Sequence, residues 1–133
     1  MIDDAGARRR AADIRRLVLC SGKVHVDVES SELRGQATSV AVTRLEQLYP
    51  FPAPDVSATL GGFPNLEEIV WLQEEPENQG AWDSVRPNLA AMTPAGVRLR
   101  VVARPPSASP AEGSAARHAV AQAALVTEAL GSG

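Results

Sequence analysis

The side chains that could do chemistry stand in four polar segments, residues 20–23, 44–52, 73–80 and 104–110, each directly after an apolar run. The candidate binding or contact residues in them are Ser21, Lys23, Arg44, Gln47, Gln73, Glu74, Glu75, Asn78, Gln79 and Arg104. The cations could hold a small anion, and a desolvated glutamate could act as a general acid or base. The plainer interpretation is that these loops form their own hydrogen bonds and contact a protein neighbour.

The motifs of nucleotide, metal and nucleophilic chemistry are incomplete. A phosphate-binding loop needs glycine at position 17 and Ser or Thr after Lys23, but Leu17 and Val24 stand there. His25 and His118 lie far apart, without the ligand spacing of a metal site. We therefore predict no catalytic, cofactor-binding or metal-binding residue in the chain.

Cys20 is the single cysteine, so no intrachain disulfide framework is possible. At the end of an apolar run it is expected to pack in the core, because a reactive thiolate needs an activating neighbour. Its isolation is typical of a reducing compartment, and we expect a cytoplasmic protein.

Composition limits the class of protein further. A chain of 133 residues is the size of one domain, too short for a large multi-domain cofactor enzyme. Its formal net charge of −3 argues against a general nucleic-acid binder. It has no apolar run of about 18 residues, so we expect no membrane span.

The order of elements predicts the fold. Strands are expected at residues 17–20, 39–45, 68–72 and 97–103, and helices at 23–34, 54–60, 80–92 and 114–130. Residues 24–28 alternate like a strand, but a helix is favoured there because strand and helix alternate everywhere else. In the last helix, Val120, Ala124, Leu125 and Ala129 are expected to share one side. The pattern predicts a three-layer α/β/α domain with an open, mostly parallel sheet, and its four polar segments then share one edge.

The first residues differ in composition from the rest. Arg8, Arg9 and Arg10 stand close to Asp3 and Asp4, with no long apolar stretch between them. We expect residues 1–13 to be a polar linker with solvated arginines, and residues 14–133 to be the domain.

The same four loops carry a family resemblance. The strings are L-C-S-G-K-V at 19–24, R-L-E-Q-L-Y-P-F-P at 44–52, V-W-L-Q-E-E-P-E-N-Q-G-A-W at 70–82 and R-P-P-S-A-S-P-A-E-G-S at 104–114. In order and spacing they resemble the C-terminal domain of the thiamine-diphosphate-dependent component of 2-oxoglutarate dehydrogenase. The resemblance covers about residues 14 to 130, and the glutamine-rich string makes it specific.

The resemblance implies a transketolase-C-terminal-like fold and a role inside a larger enzyme. The parent oxidatively decarboxylates 2-oxoglutarate in the tricarboxylic acid cycle and passes the succinyl group to the lipoyl group of a succinyltransferase. In the family, thiamine diphosphate and Mg²⁺ are held by upstream domains, and this domain builds the homodimer. We therefore expect this chain alone to lack activity and to partner with a second copy or with the dehydrogenase's upstream domains.

Some members of the family use this domain to bind acetyl-CoA. Gln47 matches that pattern, but Pro54 and Asp55 stand where arginines would grip phosphate. Aromatic residues follow the lysine in many members, whereas Val24, His25 and Val26 follow it here. We expect acetyl-CoA binding to be lost.

Three hypotheses stay open from the sequence. The chain is a structural and dimerisation domain of the dehydrogenase, or a free-standing module that binds a small anion or an acyl-CoA at the sheet edge through Lys23, Arg44 or Arg104, or a gene fragment without a role of its own.

Overall fold

The computed structural model describes residues 1–109 and 113–131, so the predicted loop at 104–113 lies partly outside the described residues. The strands are Arg16–Cys20 (β1), Val40–Arg44 (β2), Glu68–Pro76 (β3) and Arg98–Arg104 (β4). The helices are Ala5–Arg9 (α1), Val24–Glu29 (α2), Ala53–Gly61 (α3), Trp82–Met92 (α4) and Ala115–Leu130 (α5). Short 3-10 turns occupy Ala11–Asp13 and Glu32–Gly35.

The four strands form one sheet in the order β2-β1-β3-β4, and every pairing between them is parallel. β1 and β3 lie at the centre, and all of β1 is buried. A strand covered on both faces needs apolar residues at successive positions, which the run Leu17–Cys20 supplies. The predicted three-layer α/β/α architecture with an open parallel sheet is confirmed.

Two apolar clusters separate the faces of the sheet. On one face Leu19 and Trp71 pack with residues of α1, α3 and α4. On the other face Val18 and Val70 pack with residues of α2 and α5. Alternate residues of the same strand therefore belong to different cores, as the pleat of a strand requires.

The segment after β1 resolves the ambiguity between strand and helix. Val24 and Val28 are fully buried, one helical turn apart, whereas Val26 is 55% exposed. In a strand all three valines would share one face, so burial against the sheet selects the helix over the local preference of valine. The predicted helix is confirmed, although α2 ends at Glu29 and a 3-10 turn follows.

The buried side of α5 differs from the prediction. Leu125 and Ala129 are buried as expected, but Val120 is 74% exposed and Ala124 is exposed as well. Gln122, Val126 and Leu130 are buried beside them, so the buried side of the helix is rotated from the predicted one. The assignment of Val120 and Ala124 to that side was wrong because alanine and valine also occupy exposed helix positions.

Residues 1–13, expected as a linker, contact the outer edge of β2. Ile2 forms an antiparallel bridge with Arg44, with N–H···O distances of 2.8 and 2.9 Å. The Asp4 carboxylate accepts the N–H of Val42 at 3.1 Å and also caps the start of α1. The free edge of β2 is therefore occupied by the chain itself. The domain boundary after Asp13 stays a prediction.

An ion cluster lies where β3 begins. Glu68, buried, accepts hydrogen bonds from the Nε atoms of Arg98 and Arg100, both at 2.8 Å, and pairs with the buried Arg16. Arg16 also donates to the carbonyl of Ala129 at 3.0 Å, near the end of α5. One carboxylate thus joins β1, β3 and β4, and Arg16 links that cluster to α5.

Glu68 should make the stability of the fold depend on pH. Burial alone would raise its pKa, but hydrogen bonds from Arg100 and Arg98 and the charge of Arg16 lower it below its ordinary 4.5. The carboxylate's contribution is therefore complete above about pH 4.5 and is lost as the pH falls through the lower folded-state pKa. We expect Glu68→Gln to cost about 3 kcal/mol at pH 7, since it removes the carboxylate that pairs with the buried Arg16.

Urea denaturation from pH 7 to pH 3 measures this effect. The difference between wild type and Glu68→Gln should shrink below about pH 4.5, because the carboxyl of the unfolded chain, which has the higher pKa, then takes up a proton first. Glu67→Gln is the control, since Glu67 is 72% exposed and its pairing distance to Arg15 is 3.8 Å. A difference that stays constant down to pH 3, or an equal loss in the control, would contradict the assignment.

Candidate edge of the sheet

The four polar segments leave the sheet at one edge. Because all strands are parallel, their ends lie at one edge: Cys20 pairs with Arg44 and Leu72, and Pro76 pairs with Arg104. β3 runs on to Pro76, so Gln73, Glu74 and Glu75 belong to the strand and not to the loop predicted after position 72. The candidate residues are therefore placed at the carboxyl edge, where ligands of open α/β sheets bind. What each side chain does there depends on its own contacts.

Gln73 is buried and uses both ends of its amide inside the protein. Its Oε1 accepts the indole N–H of Trp71 and the backbone N–H of Trp82, both at 3.0 Å. Its Nε2 donates to the carbonyls of Pro76 at 2.9 Å and Gln79 at 2.7 Å. Gln73 therefore shapes the loop between β3 and α4 and has no donor or acceptor left for a ligand.

Gly80 completes that loop and was not among the candidate residues. Its φ is +65°, and a Cβ there would lie 3.0 Å from Glu75 Oε2 and 3.1 Å from Gln73 Nε2. The positive φ strains any other residue, and a Cβ would also push the side chains of Glu75 and Gln73 aside. The sequence signal for this role is the position of Gly80 directly before Ala81, the residue that precedes α4.

Asn78 and Gln79 join this loop to the one after β4. The side chain of Asn78 exchanges two hydrogen bonds with the backbone of Ser107, both at 3.0 Å. Gln79 Nε2 donates to the same Ser107 carbonyl at 2.8 Å. Arg104 Nε donates to the carbonyl of Glu74 at 2.7 Å. Ser107 could not be predicted as a partner from its residue type, because it contributes its backbone, which every residue carries.

The lysine and one of the arginines at this edge have a neighbouring carboxylate. Lys23 Nζ lies 2.9 Å from Asp27 Oδ2, and this contact raises the pKa of the lysine, with a smaller contribution from Glu74. Arg44 Nε donates to Glu46 Oε1 at 2.9 Å. These local pairs reduce the positive field that an anion would need.

Gln47 is unlike the buried Gln73 in its exposure. It is exposed and lines a surface pocket of about 430 Å³ that also contains Glu46 and Asp55. Two carboxylates repel the phosphates of an acyl-CoA, so this pocket does not favour such a ligand. Ser21, which is half-buried, stands in the turn before α2.

Cys20 is buried at the end of β1, with its Sγ 3.9 Å from the carbonyl of Thr43. Burial raises the pKa of its thiol to about 12, although the charge of Arg44 acts in the opposite direction. The thiol therefore stays protonated near neutral pH and cannot serve as a nucleophile.

The described residues, 1–109 and 113–131, contain no group of three or more His, Cys, Asp or Glu side chains that could hold a metal ion. Within the same ranges, no helix has the length and apolar character that crossing a membrane requires. The fold and this edge define a three-layer α/β/α domain in which the polar loops after β3 and β4 hydrogen-bond to each other.

Comparison with known proteins gives the family of this domain. The family model described as 2-oxoglutarate dehydrogenase C-terminal matches residues 1–130. The chain belongs to this family, and the resemblance seen in its four loops is confirmed.

Relatives from several bacteria agree, each described as 2-oxoglutarate dehydrogenase E1 component. The one from Cupriavidus necator is 45% identical over 90% of this chain and 13% of its own length. Those from Bacillus licheniformis and Bacillus subtilis are 40% and 39% identical over 95% and 96% of this chain. The chain spans about 14% of the length of these two relatives.

Gln73 should be the residue of this edge on which folding depends most. Gln73→Ala leaves the buried indole N–H of Trp71 and the carbonyls of Pro76 and Gln79 without their partner. We expect a loss of about 2–4 kcal/mol in the free energy of unfolding, since each orphaned buried group costs about 1–3 kcal/mol. Urea denaturation followed by tryptophan fluorescence measures it.

The matched control is Gln47→Ala, which removes the same amide from an exposed position. It should change stability by less than about 0.5 kcal/mol, as an ordinary surface substitution does. Equal effects of the two substitutions would show that Gln73 does not organise the loop.

Proposed function

We propose that this chain is the C-terminal structural domain of a thiamine-diphosphate-dependent 2-oxoglutarate dehydrogenase component. The observation that carries the proposal is the match of the family model over residues 1–130, together with relatives of which the chain spans about 14%. The polar edge supports it, because the Gln73 amide is used entirely within the domain. In this proposal the domain has a structural role beside the catalytic domains.

The reaction that we propose for the whole enzyme is the oxidative decarboxylation of 2-oxoglutarate in the tricarboxylic acid cycle. The succinyl group would pass to the lipoyl group of a succinyltransferase. In the family to which the chain belongs, the resemblance implies that upstream domains hold thiamine diphosphate and Mg²⁺. We therefore assign cofactor binding and catalysis to other domains of the enzyme.

We further propose that the domain's partners are a second copy or the upstream domains of the dehydrogenase. Exposed apolar side chains support a contact role: Tyr49 is 92% exposed and Val120 is 74% exposed. The buried thiol of Cys20, the single cysteine, supports a reducing compartment such as the cytoplasm.

The alternative is a free-standing module that binds a small anion or an acyl-CoA. It has less support, because Lys23 and Arg44 are paired with carboxylates and the pocket at Gln47 is acidic. A ligand of the native state must raise its melting temperature, so acetyl-CoA and inorganic phosphate can be tested directly.

A domain exchange tests the proposal. The matching segment of the Bacillus subtilis relative, 39% identical over 130 residues, is replaced by this chain. We expect the chimera to keep 2-oxoglutarate-dependent activity with thiamine diphosphate, whereas the enzyme truncated before this segment should lose it. The isolated chain should bind no thiamine diphosphate by calorimetry.

The controls separate the outcomes. A chimera carrying Gln47→Ala should stay active, because that side chain has no structural role. A chimera that folds and forms the native oligomer but has no activity would overturn the proposal. Saturable micromolar binding of thiamine diphosphate to the isolated chain would overturn it as well.

A further inference from the structure

Residues 1–10, which we call the strap, lie against the outer edge of β2. Ile2 exchanges two backbone hydrogen bonds with Arg44, at 2.8 and 2.9 Å, and the Asp4 carboxylate accepts the N–H of Val42 at 3.1 Å. These contacts use backbone groups of β2 that point away from β1. The strap therefore stands where a neighbouring strand of the sheet would stand.

Few apolar contacts hold the strap in place. Ala7 is its one buried residue, and Met1 and Ile2 are 38% and 46% exposed. Arg8 lies over the ring of Phe63, with its Cζ atom 5.0 Å from the ring centre. The strap thus gains little from hydrophobic burial, whereas ordering its backbone costs conformational entropy at every residue. Segments with few buried apolar contacts open locally at a lower free energy than the whole domain unfolds.

Among the described residues, one ion pair joins the strap to the rest of the domain, and it is Asp4 with Arg34. Both side chains are mostly buried, so the pair is screened from salt less than a surface pair would be. The pair of Asp3 with Arg8 lies inside the strap and adds nothing to its attachment. The charge that holds the strap is therefore concentrated in one contact.

Release of the strap would leave Arg34 with partners of its own. Its Nε donates to Glu29 Oε1 at 2.9 Å, and its Nη1 donates to the carbonyl of Val40 at 3.3 Å. Asp4 would pass into water, and so would the N–H groups at the edge of β2. Breaking a buried ion pair is costly mainly because one charge is left without a partner. Here neither charge would be left in that state.

We propose that the strap detaches from β2 as one unit while the sheet stays folded, and that the ion pair of Asp4 with Arg34 sets how often it does so. The outer edge of β2 is closed while the strap is bound and meets water when it is released. Because an ion pair joins the two parts, a rise in ionic strength favours the released state. The proposal is independent of which larger enzyme the domain belongs to.

Native-state hydrogen exchange of the unaltered chain, followed by NMR, tests the detachment. The amides of Val42 and Arg44 donate to the strap, whereas that of Leu45 donates to the carbonyl of Cys20 at 2.8 Å. Once corrected for intrinsic rates, the two strap-bound amides should exchange together, at least about a hundredfold faster than Leu45, since only the strap must open. Low urea should hardly change their rates, because little surface is exposed, but should speed the exchange of Leu45.

Two substitutions around the same arginine test the ion pair. Asp4→Asn removes the charge that joins the strap to Arg34, so it should speed exchange of the two strap-bound amides at least about tenfold. Glu29→Gln is the matched control, since it removes the other carboxylate of Arg34 without touching the strap, and it should not speed exchange. In the unaltered chain, raising sodium chloride from about 0.05 M to about 0.5 M should speed these two amides about threefold and leave Leu45 unchanged.

Three results would overturn the proposal. Exchange of Val42 and Arg44 at the rate and urea dependence of Leu45 would mean that the strap opens only with the whole domain. Fast exchange of Arg44 alone would mean that the first residues fray and that the strap is not a unit. Equal exchange in the Asp4→Asn and Glu29→Gln chains would remove the role of the ion pair. Because the urea and salt series use the unaltered protein, the test stands even if Asp4→Asn does not fold.

Discussion

Burial of the central strands on both faces is the constraint on which this domain depends. β1 and β3 must be apolar at successive positions, and two separate cores form on either side of them. Strands buried in this way pair in parallel and need helical crossovers. Parallel pairing then brings all four strand ends to one edge, so the position of every candidate residue follows from where the apolar runs stand in the chain.

The alternation of apolar runs and helical patterns was sufficient to predict the fold class and the shared edge. It was not sufficient for α5, where Val120 and Ala124 are exposed. Small apolar residues occur on both sides of a helix, so their spacing defines the buried stripe poorly. The packing of residues 1–13 was equally hard to predict, because Asp4 is held by a backbone N–H of β2 that no pattern of residue types reveals.

The candidate residues at the edge could be located from the sequence, but their roles could not. A glutamine near the end of a buried strand can bind a ligand or complete a loop, and only the hydrogen-bond partners of Gln73 decide between them. Lys23 and Arg44 are similar cases, since the acids beside them determine what charge they present. The family's most specific string therefore encodes a loop conformation in this chain.

The contact between Ile2 and β2 has a consequence for assembly. Growth of a sheet into a fibre requires two free edges on each unit, one to receive a strand and one to offer the next. In this domain Ile2 and Asp4 already bond to the outward backbone of β2, so that edge is a poor acceptor for a strand of another subunit. The chain can therefore form a closed complex through its sheet but is unsuited to propagate one.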